Sequence, residues 1–374
     1  VRARSTSGRS RDRAETVPGS PLIPRTRVAP AVGVSIPGPA ATTIPPPSWL
    51  RRNLPLLALI FLSFVIPELL TGSTTVPGLV TSANLLLGLP LYGSGVVLAR
   101  ESALRWKRGW IGILLLGLAY GIVEEGLATK TMINPSAGAA GALGVYGHFL
   151  GVNWIFAVEI DLFHAIFSIA LPILLVGLVW PEQRAERLVT DRGVVVALVV
   201  LAAEAVLGYE VLTRGYMPAT PVLAFLLATI AGLVAAFFLV PTEWFRLRSR
   251  RPTASPRQFG FVAGTLVFAL FGLTLLSPYL RIPPVLVVVV QVALAAAAFA
   301  FLLRCAGYEQ NELAKVAFAA GLLSFWVPWD VALELLGDTG VLVVPFLLYV
   351  LLYRLRRRYG SPSVPSGGGR ISPS

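Results

Sequence analysis

From Asn53 to Tyr353 the chain is a succession of apolar runs, each closed by glycine, proline or charge. A helix needs roughly 20 such residues to cross the hydrocarbon core of a bilayer. Ten runs of that kind fall at about 53–71, 77–99, 109–128, 152–180, 194–213, 221–240, 259–277, 284–303, 314–334 and 339–353. The expected fold is all-α: a polytopic transmembrane helix bundle. The run at 152–180 is too long to cross upright, and Pro172 lies inside it, so a tilt or a break is expected there.

Composition agrees. With 55% hydrophobic and 13% charged residues, the chain is too apolar for a water-soluble fold of 374 residues. Its one cysteine, Cys305, excludes an intramolecular disulfide, and two histidines exclude a His-rich metal cage. The formal charge of +12 raises nucleic acid as a partner, but the basic residues sit in tails and short loops between apolar runs. No soluble domain presents them. The lipid bilayer is the expected partner, with arginine-rich loops and tails against its anionic inner leaflet. Residues 1–50, rich in Arg, Ser, Pro and Gly, read as a disordered basic tail, 53–354 as the transmembrane domain and 355–374 as a second disordered tail. A cleaved secretory signal is not expected, and the first residue, Val1, hints at an alternative bacterial start codon or a fragment.

The distribution of Lys and Arg tests the ten spans, because a missed or invented span would scramble its alternation between loops. Of 31 Lys and Arg, only Lys130, Arg214 and Arg281 fall on one side. The rest lie in the tails and in alternate connections, which places both termini in the cytoplasm and the chain in a prokaryotic plasma membrane. Trp residues cluster at the expected span ends, as interfacial anchors do.

Against that layout the acidic residues stand out. An ionisable side chain at the bilayer centre costs about 2.5–3.5 kcal/mol on insertion scales. Yet Glu124 and Glu125 end the third run, and Glu159, Asp161 and His164 lie in the fourth, at similar depth in the outer half. Helical spacing puts Gly117, Gly121 and Glu125 on one row, a small-residue stripe that turns Glu125 toward a neighbouring helix. Tyr120 lies one turn before Glu124. Asp161, His164 and Ser168 share one face, and Glu159 points the other way. Glu68, Glu210, Asp330 and Glu334 read as interfacial residues reaching water. The connection between the two runs, residues 129–151, is rich in small residues and reads as either a flexible link or a mobile cover bringing Lys130 and His148 near the acids.

Three chemistries fit such a group. Paired carboxylates and a histidine relay protons or bind a cation during transport; they hold a metal or water for hydrolysis, with a glutamate as base; or they lock the bundle as a structural network. A Ser168–His164–Asp161 triad is a further option of little weight, because three residues on one stripe rarely supply the in-line geometry that nucleophilic catalysis requires.

Two resemblances follow from these motifs. The Glu124–Glu125 pair with a later intramembrane histidine resembles CAAX-protease-type intramembrane proteases, which hold a water or metal with E-E-x-x-x-R, F-x-x-x-H and H-x-x-x-N. Here Thr129 stands in place of the arginine, Gly144 and Ile160 in place of the phenylalanine, and Val152 and Ser168 in place of the asparagine. Residues 53–185 are similar to uncharacterised prokaryotic multi-pass membrane proteins. The shared features are Pro67–Ser73, the Y-G-I-V-E-E-G-L pattern at Tyr120–Leu127, Asn134–Pro135, and Asn153–Trp154 through His164. That likeness points to the site and assigns no reaction. The functional expectation is an ion-coupled transporter or permease with an outer-half carboxylate–histidine site; the alternatives are an intramembrane metal-dependent protease or hydrolase, and a non-catalytic scaffold or sensor. Neither metal, cofactor, substrate nor oligomeric state follows from the sequence.

Overall fold

A computed structural model describes residues 49–81, 84–241, 254–305, 311–337 and 340–360. It is helical nearly throughout. In chain order the helices are α1 (Trp49–Leu70), α2 (Val76–Leu79), α3 (Leu89–Arg105), α4 (Gly109–Gly121), α5 (Trp154–Phe163), α6 (Leu171–Val179) and α7 (Asp191–Leu207). They continue with α8 (Thr220–Leu239), α9 (Pro256–Leu280), α10 (Pro284–Arg304), α11 (Glu312–Leu323), α12 (Trp326–Leu336) and α13 (Val343–Gly360). Among the described residues, the only strands are β1 (His148–Phe149) and β2 (Val152–Asn153), paired antiparallel in the connection before α5.

Eight helical stretches have the length and apolarity to cross a membrane: 53–70, 109–128, 154–179, 191–211, 220–239, 256–280, 284–304 and 312–336. Two of the expected spans differ. In place of a run over 77–99, the chain forms the short α2 and then a helix that continues to Arg105. It can carry Arg100, Glu101 and Arg105 because these charges satisfy one another. Glu101 pairs with both arginines, and Arg105 Nη1 lies 2.7 Å from Glu101 Oε2. The last run becomes α13, whose arginine-rich final turns lower its apolarity and whose helix passes residue 355, the expected start of the tail. The tails themselves, 1–48 and 361–374, lie outside the described residues.

Polar contacts at the helix ends fix their directions. Arg100 Nη2 donates to the carbonyls of Gln183 (2.7 Å) and Glu186 (2.9 Å), Arg184 holds both Glu312 oxygens at 2.8 Å, and Tyr359 donates to Leu178 O at 2.8 Å. These contacts bring the end of α3, the segment after α6, the start of α11 and the end of α13 to one end of the bundle. At the opposite end, Trp329 Nε1 donates to Thr71 O at 3.4 Å, and Tyr146 bonds Ile282 O.

The main core lies among α1, α3, α6, α9, α11 and α13, around Phe64, Ile66, Phe167, Leu175, Val267 and Leu323. Glycines set the closest approaches. A Cβ on Gly117 would lie 3.0 Å from Ala165 Cα, so α4 meets the fourth span backbone to backbone, as the stripe at Gly117 and Gly121 predicts. On Gly232, by contrast, a Cβ would meet nothing within 4 Å. Gly117→Leu is therefore expected to lower stability by about 1–3 kcal/mol through overpacking, while Gly232→Leu leaves it unchanged; thermal unfolding of the two variants in the same detergent checks this.

Candidate functional site

Both helices are widened where they carry Glu124, Glu125, His164 and Ser168. After α4, residues Ile122–Ala128 form wide turns in which the Thr129 N–H reaches Glu124 O, five residues back, at 2.8 Å. After α5, His164–Ala170 do the same, with the Leu171 N–H bonding Ile166 O. The second widening has a visible cause: Pro172, at the start of α6, has no N–H to continue an ordinary ladder. Such π-type turns recur at functional sites because they re-aim side chains. In a regular α-helix, 3.6 residues per turn would point residues 124 and 125 about 100° apart. Here both carboxylates reach one imidazole.

His164 lies between them. Its Nε2 is 2.9 Å from Glu125 Oε1, and its Nδ1 is 3.1 Å from Glu124 Oε2 and 2.9 Å from Ser168 Oγ. The directional bond at Nδ1 goes to Ser168, so Glu124 Oε2 approaches as a charge contact and has no hydrogen bond. All three residues are buried, and one ligand atom from each falls within 4.8 Å of the others. Because a Zn²⁺ ion sits about 2.0–2.2 Å from nitrogen and carboxylate donors, this spread is close to what a shared cation needs. Tyr92 and Tyr120 wall the imidazole, with ring centroids 6.0 and 6.1 Å from it. The buried Tyr120 hydroxyl lies beside the Glu124 carboxylate, as its spacing suggested, but outside full hydrogen-bond geometry.

The other predicted residues divide. Asp161 lies against Gly121, where a Cβ would strike its Oδ1, and that oxygen is also unpartnered. Glu159 is buried but stands outside the trio, as helical phase required. His148 Nδ1 pairs with Asn153 Oδ1 inside the β1–β2 hairpin. Lys130 is a correction: its buried ammonium donates to Tyr209 O (2.9 Å), Thr213 O (3.1 Å) and Tyr216 O (2.9 Å), and lies 3.8 Å over the Tyr209 ring. It closes the end of the seventh helix and is not a partner of the acids. Burial draws its pKa below the usual lysine value, with the Glu210 carboxylate opposing.

The connection is folded, too. Asn153, fully buried, donates to Thr131 O (2.9 Å) and Asn134 O (3.2 Å), and its N–H bonds Met132 O at 2.7 Å. This fold places Thr131 Oγ1 against Glu125 Oε2, where Thr129 Oγ1 also donates at 3.1 Å. Thr129 is exposed, so Glu125 is one hydrogen bond from the surface. Sequence reasoning did not assign Thr129, Thr131 or Tyr92 to the site, and it read Glu68 as reaching water; instead Tyr92 OH donates to Glu68 Oε1 at 2.8 Å beside the site. The signal for Thr129 was available in its spacing of four from Glu125, one helical turn. Tyr92 gave none, since only the tertiary packing of α3 brings it here.

The chain belongs to an uncharacterized membrane protein family, whose model matches residues 57–365. It is an integral membrane protein. No curated protein and no solved structure matches it.

Replacing Lys130 with methionine removes the donor that satisfies three carbonyls, and each hydrogen bond to a charged group is worth about 1.5–3 kcal/mol. Lys130→Met is expected to destabilise the protein by at least about 3 kcal/mol, read as a fall in unfolding temperature.

Proposed function

We propose that this chain is a cation-coupled membrane transporter or permease, in which Glu124, Glu125 and His164 bind the coupling ion, a proton or a divalent cation, reached from the outer face. The observation that carries the reading is the link from exposed Thr129 through Glu125 to His164 and Ser168. It offers an ion a hydrogen-bonded way from the surface into a site at membrane depth. Two carboxylates and one imidazole hold either ion. A proton exchanges among the facing oxygens and ring nitrogens, and a divalent cation displaces it by taking one donor from each residue. The orientation supports access from outside, since the arginine-rich connections gather at the other end of the bundle.

A second reading, metal-dependent hydrolysis within the membrane, rests on a different observation. Tyr120 OH, Glu124 Oε2 and Asp161 Oδ1 are buried polar atoms in or beside the trio that make no hydrogen bond. Such atoms suit a metal-bound water and a general base beside it.

Calorimetric titration of the purified chain with Zn²⁺ is expected to show one site per chain. Glu125→Gln and His164→Ala should weaken it by about 100-fold. Proteoliposomes containing a pH dye or a Zn²⁺ dye then separate the readings: the transporter moves protons or Zn²⁺ down an imposed gradient and Glu125→Gln abolishes the movement. Zn²⁺ binding without movement favours the hydrolase. Wild-type protein that neither binds Zn²⁺ nor differs from Glu125→Gln in proton movement overturns the proposal.

A further inference from the structure

We propose that the groove between α9, α11 and α13, remote from the carboxylate–histidine site, is a binding site for one anionic phospholipid. Its volume is about 1470 Å³, and its walls are mostly apolar. The floor is made of small residues, Gly260, Gly264, Ala317, Ala320 and Gly321, where α9 and α11 approach so closely that a Cβ on Gly260 would lie 2.9 Å from Ala317 O. The rim carries Phe261 and Phe268, which are 74% and 46% exposed. In a membrane protein those exposures mean contact with lipid, so the groove opens sideways into the bilayer.

Charge selects the occupant. Arg257, in the first turn of α9, and Arg356, in the last turns of α13, both line the groove at one end. Both are exposed, and neither makes an ion pair or hydrogen bond among the described residues. Several other arginines at this end are held by the protein itself: Arg100, Arg105 and Arg184 bond carboxylates and carbonyls, and Arg358 donates to Val179 O at 3.0 Å. Arg192 and Arg354 are exposed too, but neither lines this groove. Two unpaired guanidiniums at the mouth of an apolar groove are complementary to a phosphate diester carrying an acyl chain.

Length supports the same occupant. Arg257 and Ala269, both lining the groove, are 12 residues apart, about 18 Å along a helix. One leaflet of hydrocarbon is about 15 Å, half of a core of about 30 Å. A lipid with its phosphate at Arg257 and Arg356 therefore lays an acyl chain along the groove without leaving its own leaflet.

Native mass spectrometry of the full chain, in detergent with added phosphatidylglycerol or phosphatidylcholine, tests this. One phosphatidylglycerol is expected to remain bound per chain and phosphatidylcholine to be lost. Arg257→Ala with Arg356→Ala should weaken retention on the order of 30-fold, the effect of two basic residues at an anionic surface. Thr265→Trp, at an exposed position in the groove, should displace the lipid with both arginines in place. Arg192→Ala, an exposed arginine elsewhere, should leave retention unchanged. Circular dichroism confirms that each variant is folded. Equal retention of both lipids, or retention that survives the double arginine variant, overturns the proposal. So does a lipid-free dimer that Thr265→Trp breaks, because the groove would then be an interface between two copies.

Discussion

Burying an imidazole between two carboxylates is the constraint to which the rest of this bundle answers. Each ionisable group would be costly alone in a hydrocarbon environment, and removing one partner of such a set strands the others. His164 can face Glu124 and Glu125 together only if two helices touch closely and both carboxylates turn the same way. Glycine at 117 and 121 allows the first, and the widened turns at 122–128 and 164–170 provide the second. Tyr92 and Ser168 then enclose the imidazole, and the folded 129–153 connection closes over Glu125.

Much of this was legible in the sequence. Apolar run length identified the helices, and the glycine row turned Glu125 inward. A period of 3.6 separated Glu159 from Asp161, His164 and Ser168. What failed were inferences that assumed an unbroken α-helix or a passive loop. A regular helix would have turned Glu124 away from Glu125, and no simple pattern announces a widened turn, although Pro172 marks where one helix must break. Lys130 read as a partner for acids because they are its sequence neighbours. It is held by carbonyls at the end of the seventh helix, and only tertiary structure brings that end to it.

Charge within the bundle follows one rule in three settings. Glu101 pairs with Arg100 and Arg105, and Asp191 with Arg105, so α3 continues through residues that would otherwise end a span. Lys130 makes no ion pair among the described residues, yet three carbonyls and an aromatic face surround its ammonium. The Glu124–Glu125–His164 group differs, since polar atoms around it remain unsatisfied. Unpaired buried polar atoms occur elsewhere too, at Gln291, Trp326 and Asp330, but around His164 three of them gather on neighbouring residues.

The two threonines on Glu125 couple the surface connection to the interior. Lifting Thr131 from the carboxylate takes away a donor, and an ion bound at Glu125, as proposed above, would compete for the same oxygen. On that proposal the closed connection and the occupied site disfavour each other. By linkage, any ion that binds better once the threonine is displaced must itself hold the connection open, and by the same factor. On those terms the 129–153 segment and the ion are rivals for one oxygen, and access to the site is set by how strongly each competes for it.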